Sequence, residues 1–295
     1  QGRDSEKILN YLCVNDVSVN PGKVVYTSLL NERGGIESDL TVTRLSNDSF
    51  LIITAGASQT RDFAWLRKNI PFDARLNVTD VTSAYAVLSI MGPESRNLLS
   101  QLTPYNLSNE EFPFGTFKEI EIAFGKALAL RMTYVGELGW EIYIPTEFAQ
   151  EIFDKIISYG KDFGLKLAGM HALNSLRLEK AYRHWGHDIT DEDTPLEAGL
   201  EFTVKFEKFG GFIGREALLD QKDELSKSRN GALTKRLVQF ALDDPNPLLY
   251  HNEPIWCNGQ IVGDLTSGMY GHTIGSSIGM GYIKDKDGVN DELIN

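Results

Sequence analysis

Two carboxylates on strand-like stretches are the residues of this chain best placed to do chemistry. In "GELGWEIYIP", residues 136–145, the two-residue period of a strand puts Glu141 and Tyr143 on one face. Trp140, Ile142 and Ile144 take the other face. An acid set among apolar neighbours is either a solvated strand residue or a buried group that needs donors. An unpaired buried carboxylate costs on the order of several kcal/mol or takes up a proton. The pattern alone leaves both readings open. The stretch "GGIESDLTVTRL" has the same logic: Asp39, Thr41 and Thr43 share a face, and Leu40, Val42 and Arg44 share the opposite one. An Asp entering a strand after a Gly-Gly pair also reads as a plain turn residue.

Other chemistries fit less well. "YRHWGHDI" gathers His184, His187 and Asp188, with His171 one helix-length earlier. The i,i+4 histidine pair and third ligand of a zinc site are missing, so no metal is expected and pocket-lining or backbone-bonded rings are favoured. "SIMGPES" lacks the glycine spacing and the lysine of a phosphate loop. No G-x-G-x-x-G opens a strand–helix unit, which argues against a dinucleotide domain within this stretch. No serine sits in an elbow motif.

These acids have to be positioned by the elements around them. "DSEKILNYL" reads as a helix capped by Asp4, and "GKVVYTSLLNERGGIESDLTVTRL" as two strands joined at Gly34–Gly35. A third strand, "SFLIITAG", and a helix, "TRDFAWLRKNI", complete a β-rich α+β unit. From Val78 a second unit begins with "AYAVLSIMGPESRNLLSQL", a strand, a glycine turn and a helix with Pro93 in its first turn. Successive strands follow in "FKEIEIAFGKALALRMTYVGELGWEIYIP". Helix "EFAQEIFDKIISYGKDFG" places Phe148, Ile152, Phe153, Ile156 and Ile157 on one face. The pattern predicts a further helix, "MHALNSLRLEKAYRHW", ended by Gly186, then a long connection, "DEDTPLEAGLEFTVKF", closing in a strand. The polar tract 220–235 marks a boundary, beyond which short strands divided by Gly, Asn and Asp predict a small β-barrel or sandwich.

Bulk composition narrows the partners. A length of 295 residues, 42% hydrophobic, has room for two or three domains with a sizeable core. A net charge of -12 argues against a nucleic-acid backbone as partner. No apolar run approaches the roughly 20 residues that span a bilayer, so no membrane partner is expected. Cys13 and Cys257 are too few and too far apart for a disulfide framework, which favours a reducing compartment, the cytoplasm or the mitochondrial matrix. The opening "QGRDSEKILNYL" and closing "DKDGVNDELIN" read as cuts through a longer polypeptide.

Five stretches in order carry a family resemblance: "NERGGIESDLTV", "AVLSIMGPES", "YVGELGWEIYIP", "GMHALNSLRLEKAYRHWGHDI" and "TPLEAGL". Together they resemble the folate-binding aminomethyltransferase family typified by the glycine-cleavage T-protein. "AYRHWGHDITDEDTPLEAGLEFTVKF" is more similar to its branch fused to flavin oxidases, the dimethylglycine and sarcosine dehydrogenases. The resemblance implies an α+β, aminomethyltransferase-like folate-binding fold. Residues 1–77 form a ferredoxin-like part, 78–219 a second α+β part, and 220–295 a C-terminal small β-barrel, incomplete at its end.

The implied cofactor is tetrahydrofolate, loaded to 5,10-methylenetetrahydrofolate, with FAD on an upstream flavin domain of the same polypeptide. The family's pterin-gripping glutamate falls on Glu141, where a carboxylate would accept paired N–H donors. Its catalytic aspartate falls on Asp39, where a fixed carboxylate would stabilise developing positive charge and steer a proton. Tyr26 matches a pocket tyrosine, and Tyr143 and Tyr134 are implied wall residues. Two positions depart from the T-protein pattern. Its pocket asparagine has no counterpart at Thr54 or Ala55, and Leu173 replaces an arginine. Both set the chain apart from transfer off an aminomethyl-lipoyl partner. The alternatives are a free-standing aminomethyltransferase or folate-dependent demethylase, and a non-catalytic regulatory relative.

Overall fold

Turn residues cut this chain into short antiparallel strands, and apolar alternation decides which face of each sheet is covered. The computed structural model describes residues 1–227 and 231–294. The first unit runs α1 (Ser5–Leu12), β1 (Val24–Leu30), β2 (Ile36–Arg44), β3 (Phe50–Thr54) and α2 (Gln59–Lys68). The three strands form one antiparallel sheet in chain order. Its Leu40 and Val42 face is buried with Leu9, Leu12 and Leu66 of the two helices. The β1–β2 turn is wound around Asn31, whose Oδ1 accepts the N–H groups of Arg33 and Gly35 at 3.0 Å each. A Cβ at Gly35 would lie 1.9 Å from the Asp191 carbonyl, so only glycine lets that connection pass. Asp4 does not cap α1 with its side chain; its Oδ2 accepts the N–H of Arg75 at 2.7 Å.

The second unit comprises β4 (Tyr85–Met91), α3 (Ser95–Leu99), β5 (Phe117–Ile122), β6 (Gly125–Leu130), β7 (Gly139–Pro145), α4 (Ala149–Gly160) and α5 (Met170–Glu179). Its sheet has the order β4-β7-β6-β5, so the strand carrying Glu141 is interior. Trp140, Ile142 and Ile144 are fully buried in a core with Leu98, Leu99, Phe112, Ile152 and Ile156. The expected alternation of β7 is therefore what anchors it.

α5 ends at Glu179, short of the expected stop at Gly186. Ala181, at φ +53°, turns the chain into the left-handed region and reverses its direction. Residues 182–185 are thereby freed from the helix and carried elsewhere. The strand expected at the end of "DEDTPLEAGLEFTVKF" is also absent: a short 3₁₀ turn, Glu201–Thr203, stands there. Much of the supposed boundary tract is helix, since α6 spans Arg215–Lys227; residues 228–230 of that tract lie outside the described residues.

Beyond it, β8 (Lys235–Ala241), β9 (Pro254–Cys257), β10 (Gln260–Gly271) and β11 (Ser276–Lys284) form an antiparallel sheet in the order β8-β11-β10-β9, before a last short helix, α7 (Asp291–Ile294). It is fastened to α5 by Ser175 Oγ donating to the Tyr270 carbonyl at 2.6 Å and Gln239 Nε2 donating to the Leu178 carbonyl at 2.6 Å. No helix among the described residues is long and apolar enough to cross a membrane.

Candidate functional site

Register places the first acid. Asp39 pairs with Ser28, and Tyr26 pairs with Thr41, so Tyr26 and Asp39 are diagonal neighbours on one face of the first sheet. Val24 and Ile53 lie on that face as well, opposite Thr43 and Thr41. Register also places the second acid: Glu141 pairs with Ser89 and Leu130, and Tyr143 with Val87 and Leu128. The two faces meet. Val24, Leu130 and Tyr143 are buried together, with Ile53, Phe117, Leu128 and Met132 packed around them. Thus the sheet face bearing Asp39 packs against the sheet face bearing Glu141.

Around Asp39 the structure gathers Tyr26, Tyr134 and Arg183. Burial pushes the Asp39 carboxyl up to about 7. The Tyr26 hydroxyl and the Arg183 guanidinium pull it down, and Asp62 pushes it further up. Its Oδ1 is buried and has no hydrogen-bond partner. A carboxylate poised near neutrality with a free buried acceptor suits proton handling at physiological pH. Burial and the neighbouring Asp39 hold the Tyr26 hydroxyl well above the usual phenol range, so Tyr26 stays a neutral donor. Tyr134, raised to about 12 chiefly by burial, donates to the Arg183 carbonyl at 2.8 Å and stacks on Tyr182 with ring centroids 6.2 Å apart.

Glu141 sits in a separate pairing. The Tyr143 hydroxyl donates to its Oε2 at 2.7 Å, fixing the carboxylate and leaving Oε1 for another donor. Burial, and then the Glu141 charge, push the Tyr143 phenol up, so it holds that proton throughout the physiological range. Tyr143 therefore orients Glu141 and belongs to the wall between the sheets.

A cavity of about 630 Å³ opens beside the edge strand β3, lined among others by Ile53, Thr54, Asp62, Tyr85, Leu128 and Tyr143. Thr54, where the expected asparagine is lacking, is engaged with Asp62, whose Oδ2 also accepts Ser38 Oγ at 2.9 Å and Ser58 Oγ at 2.7 Å. Neither that cavity nor a groove of about 660 Å³ beside Lys205, Lys208 and Lys222 is lined by Asp39 or Glu141. His184 and His187 pack with tilted rings 4.6 Å apart between centroids, while the buried Asp188 carboxylate accepts from the Arg177 guanidinium at 2.6 Å, the His184 N–H at 3.0 Å and the Thr266 hydroxyl at 2.6 Å. Among the described residues no group of three or more His, Cys, Asp or Glu side chains could hold a metal ion.

Sequence reading missed Arg183, Tyr182 and Asp62. Arg183 and Tyr182 were hidden inside a pattern that looked helical. Asp62 looked like an ordinary polar position of an amphipathic helix.

Family models match most of the chain. A family model described as "GCVT N-terminal domain" matches residues 1–208, and one described as "Glycine cleavage T-protein C-terminal barrel domain" matches residues 235–293. The chain belongs to the glycine-cleavage T-protein family. Within this family of folate-dependent aminomethyl transfer, the chain is 44% identical over 279 residues to 4-methylaminobutanoate oxidase (formaldehyde-forming) of Paenarthrobacter nicotinovorans. That match covers 95% of this chain and 33% of the relative. It is 38% identical over 301 residues to human mitochondrial sarcosine dehydrogenase, covering 97% of this chain and 32% of the relative. The chain thus spans about a third of the length of these relatives. The crystal structure of aminomethyltransferase T of the glycine cleavage system from Bartonella henselae superposes with a TM-score of 0.83 at 27% identity, over 96% of this chain and 74% of that one. The fold of this T-protein family member, with its antiparallel C-terminal sheet as the barrel part, is therefore the aminomethyltransferase fold.

Proposed function

We propose that this chain binds tetrahydrofolate and captures a one-carbon unit on it, as the methylene-accepting part of a larger FAD-dependent dehydrogenase of the dimethylglycine or sarcosine type. The observation that carries the reading is the packing of the Asp39 face against the Glu141 face, each acid keeping an oxygen free for a donor. The residues present fit the cofactor. The edge of a pterin offers adjacent N–H donors, and Glu141, held by Tyr143, is an oriented acceptor for them. When bound, tetrahydrofolate supplies the nucleophilic nitrogens that take up the one-carbon unit. Asp39 would hold or accept the proton released from such a nitrogen and offset the positive charge there. Tyr26 would keep Asp39 oriented through its neutral hydroxyl, and Tyr134 and Tyr182 would shield the site from water.

The dehydrogenase reading draws support from the relatives named above, one a sarcosine dehydrogenase and one an N-methyl amine oxidase whose name records formaldehyde as product. Each is about three times as long as the region matched, which leaves room for a flavin domain as partner in the same polypeptide. Mitochondrial placement of one relative suits a matrix location, and the cytoplasm suits a bacterial one.

Calorimetric titration of the wild-type chain with tetrahydrofolate is expected to show one saturable site per chain. No heat of binding at millimolar tetrahydrofolate would reject the reading.

A further inference from the structure

Two arginines of the second unit meet with no acid between them. Arg96 of α3 donates through Nε to the Leu107 carbonyl at 2.9 Å and through Nη2 to Asn109 Oδ1 at 2.7 Å. Arg131, the residue after β6, donates through Nη1 to the Phe112 carbonyl at 2.9 Å. Its Nη2 donates to the same Asn109 oxygen at 3.2 Å. One amide oxygen therefore draws two guanidinium groups together within the segment 107–112. Both stand over one indole, the Arg131 and Arg96 Cζ atoms lying 4.7 and 5.9 Å from the centre of the Trp140 ring.

The local chain fixes this placement. The Arg131 N–H donates to the Thr116 carbonyl at 2.9 Å and its carbonyl accepts the Gly115 N–H at 3.0 Å, which extends the β5–β6 pairing to this residue. Leu107 and Phe112 are buried at the two ends of the segment and set where its carbonyls stand. Arg131 is 8% exposed, Arg96 is half-buried and Asn109 is exposed, so solvent reaches the pair from the side of Asn109.

A staple for the segment would be stronger with an aspartate at 109, because charge-assisted hydrogen bonds are roughly twice as strong as neutral ones. A guanidinium stays charged at any physiological pH, and two of them on one neutral oxygen repel. Among the described residues neither arginine has a carboxylate within ion-pair distance. That is unexpected in a chain with 41 acidic residues against 29 basic ones. Glu110 is exposed and feels the Arg96 charge, yet pairs with neither arginine. Burial, and then the Arg96 charge, pull the Arg131 guanidinium below its ordinary range, as an uncompensated cationic neighbour should. Arg96 Nη1 makes no hydrogen bond among the described residues and is left as a donor.

We propose that Arg96 and Arg131 form a binding site for a small oxyanion, a phosphate or a carboxylate group, beside Asn109. Such an anion takes the remaining N–H groups of the two forks and supplies the charge that the amide lacks. The site lies behind the acids described above. Trp140 and Glu141 are consecutive on β7, so their side chains take opposite faces of the sheet. Anion binding here is therefore separate from tetrahydrofolate binding, and either can fail without the other.

The test is thermal unfolding of the full chain at fixed ionic strength, with chloride exchanged for inorganic phosphate or for acetate. An anion that binds only the folded state raises Tm in a saturable way. Wild type is expected to gain about 2 °C or more with at least one of the two, and the larger shift tells which group the site takes. Asn109→Asp builds a carboxylate into the site, so it should raise Tm without added anion and abolish the anion-dependent gain. Arg96→Gln should abolish that gain as well. The proposal is overturned if neither anion moves Tm, or if either variant gains as much as wild type, the mark of a general salt effect. A lowered Tm in Asn109→Asp without added anion overturns it too. If Arg96→Gln does not fold, Asn109→Asp decides alone.

Discussion

Asp39→Asn is expected to slow one-carbon transfer to tetrahydrofolate by about 10²- to 10⁴-fold, the range typical of a lost general base, with binding nearly unchanged. The same substitution should make the folate-free protein more stable at pH 8. The Asp39 carboxyl titrates near 7 in the folded chain and near 3.8 when unfolded. Between those values the folded state binds more protons than the unfolded one, so stability falls as pH rises through the window. Above about pH 7 the full penalty for the buried charge is present, and below about pH 4 it is gone. Asparagine removes it, with a gain of about 2 kcal/mol at pH 8, roughly half the full linkage value because Asp39 is only half-buried. Chemical denaturation at pH 8 and pH 4 measures both ends. Equal transfer rates for the two proteins would reject the role of Asp39. A variant less stable than wild type at pH 8 would show that the carboxylate is not strained by burial.

Glu141→Ala should weaken tetrahydrofolate binding by roughly 2–3 kcal/mol, or about 30- to 150-fold in Kd. Two effects add. The paired N–H donors of the pterin lose a charged acceptor, and the buried Tyr143 hydroxyl loses the partner 2.7 Å away. Tyr143→Phe separates them, because it keeps the carboxylate and removes only its tether. It is expected to weaken binding less than Glu141→Ala does. Calorimetric titration of both variants checks the order; an unchanged affinity in Glu141→Ala would remove Glu141 from the site.

The face each acid takes was legible in the sequence because strands report their faces directly, while the pattern left open whether either acid was solvated and only the family resemblance gave them roles. The two-residue period separates Glu141 and Tyr143 from Trp140, Ile142 and Ile144, which are core, and Asp39 from Leu40 and Val42, which are core as well. Which face meets which was not legible, since the contact of Val24 with Tyr143 joins strands more than a hundred residues apart. Arg183 was illegible for a local reason. "LEKAYRHW" has helical composition, and nothing in an alanine announces the left-handed turn at Ala181 that pulls the arginine out of the helix. The barrel's attachment was hidden by distance and by geometry: Arg177 meets Ser267 across the domain junction, at a bulge that no alternation pattern predicts. Local periodicity thus fixed the orientation of the acids, while long-range pairing fixed their neighbours.

A crystal structure of the chain with tetrahydrofolate bound tests the central claim most directly. The account predicts one pteridine lying between the first two sheets, its N–H edge within hydrogen-bond distance of the Glu141 carboxylate and a reacting nitrogen beside Asp39. Folate seated in the lysine-lined groove near Lys205 and Lys222, or touching one acid while the other faces solvent, would contradict it.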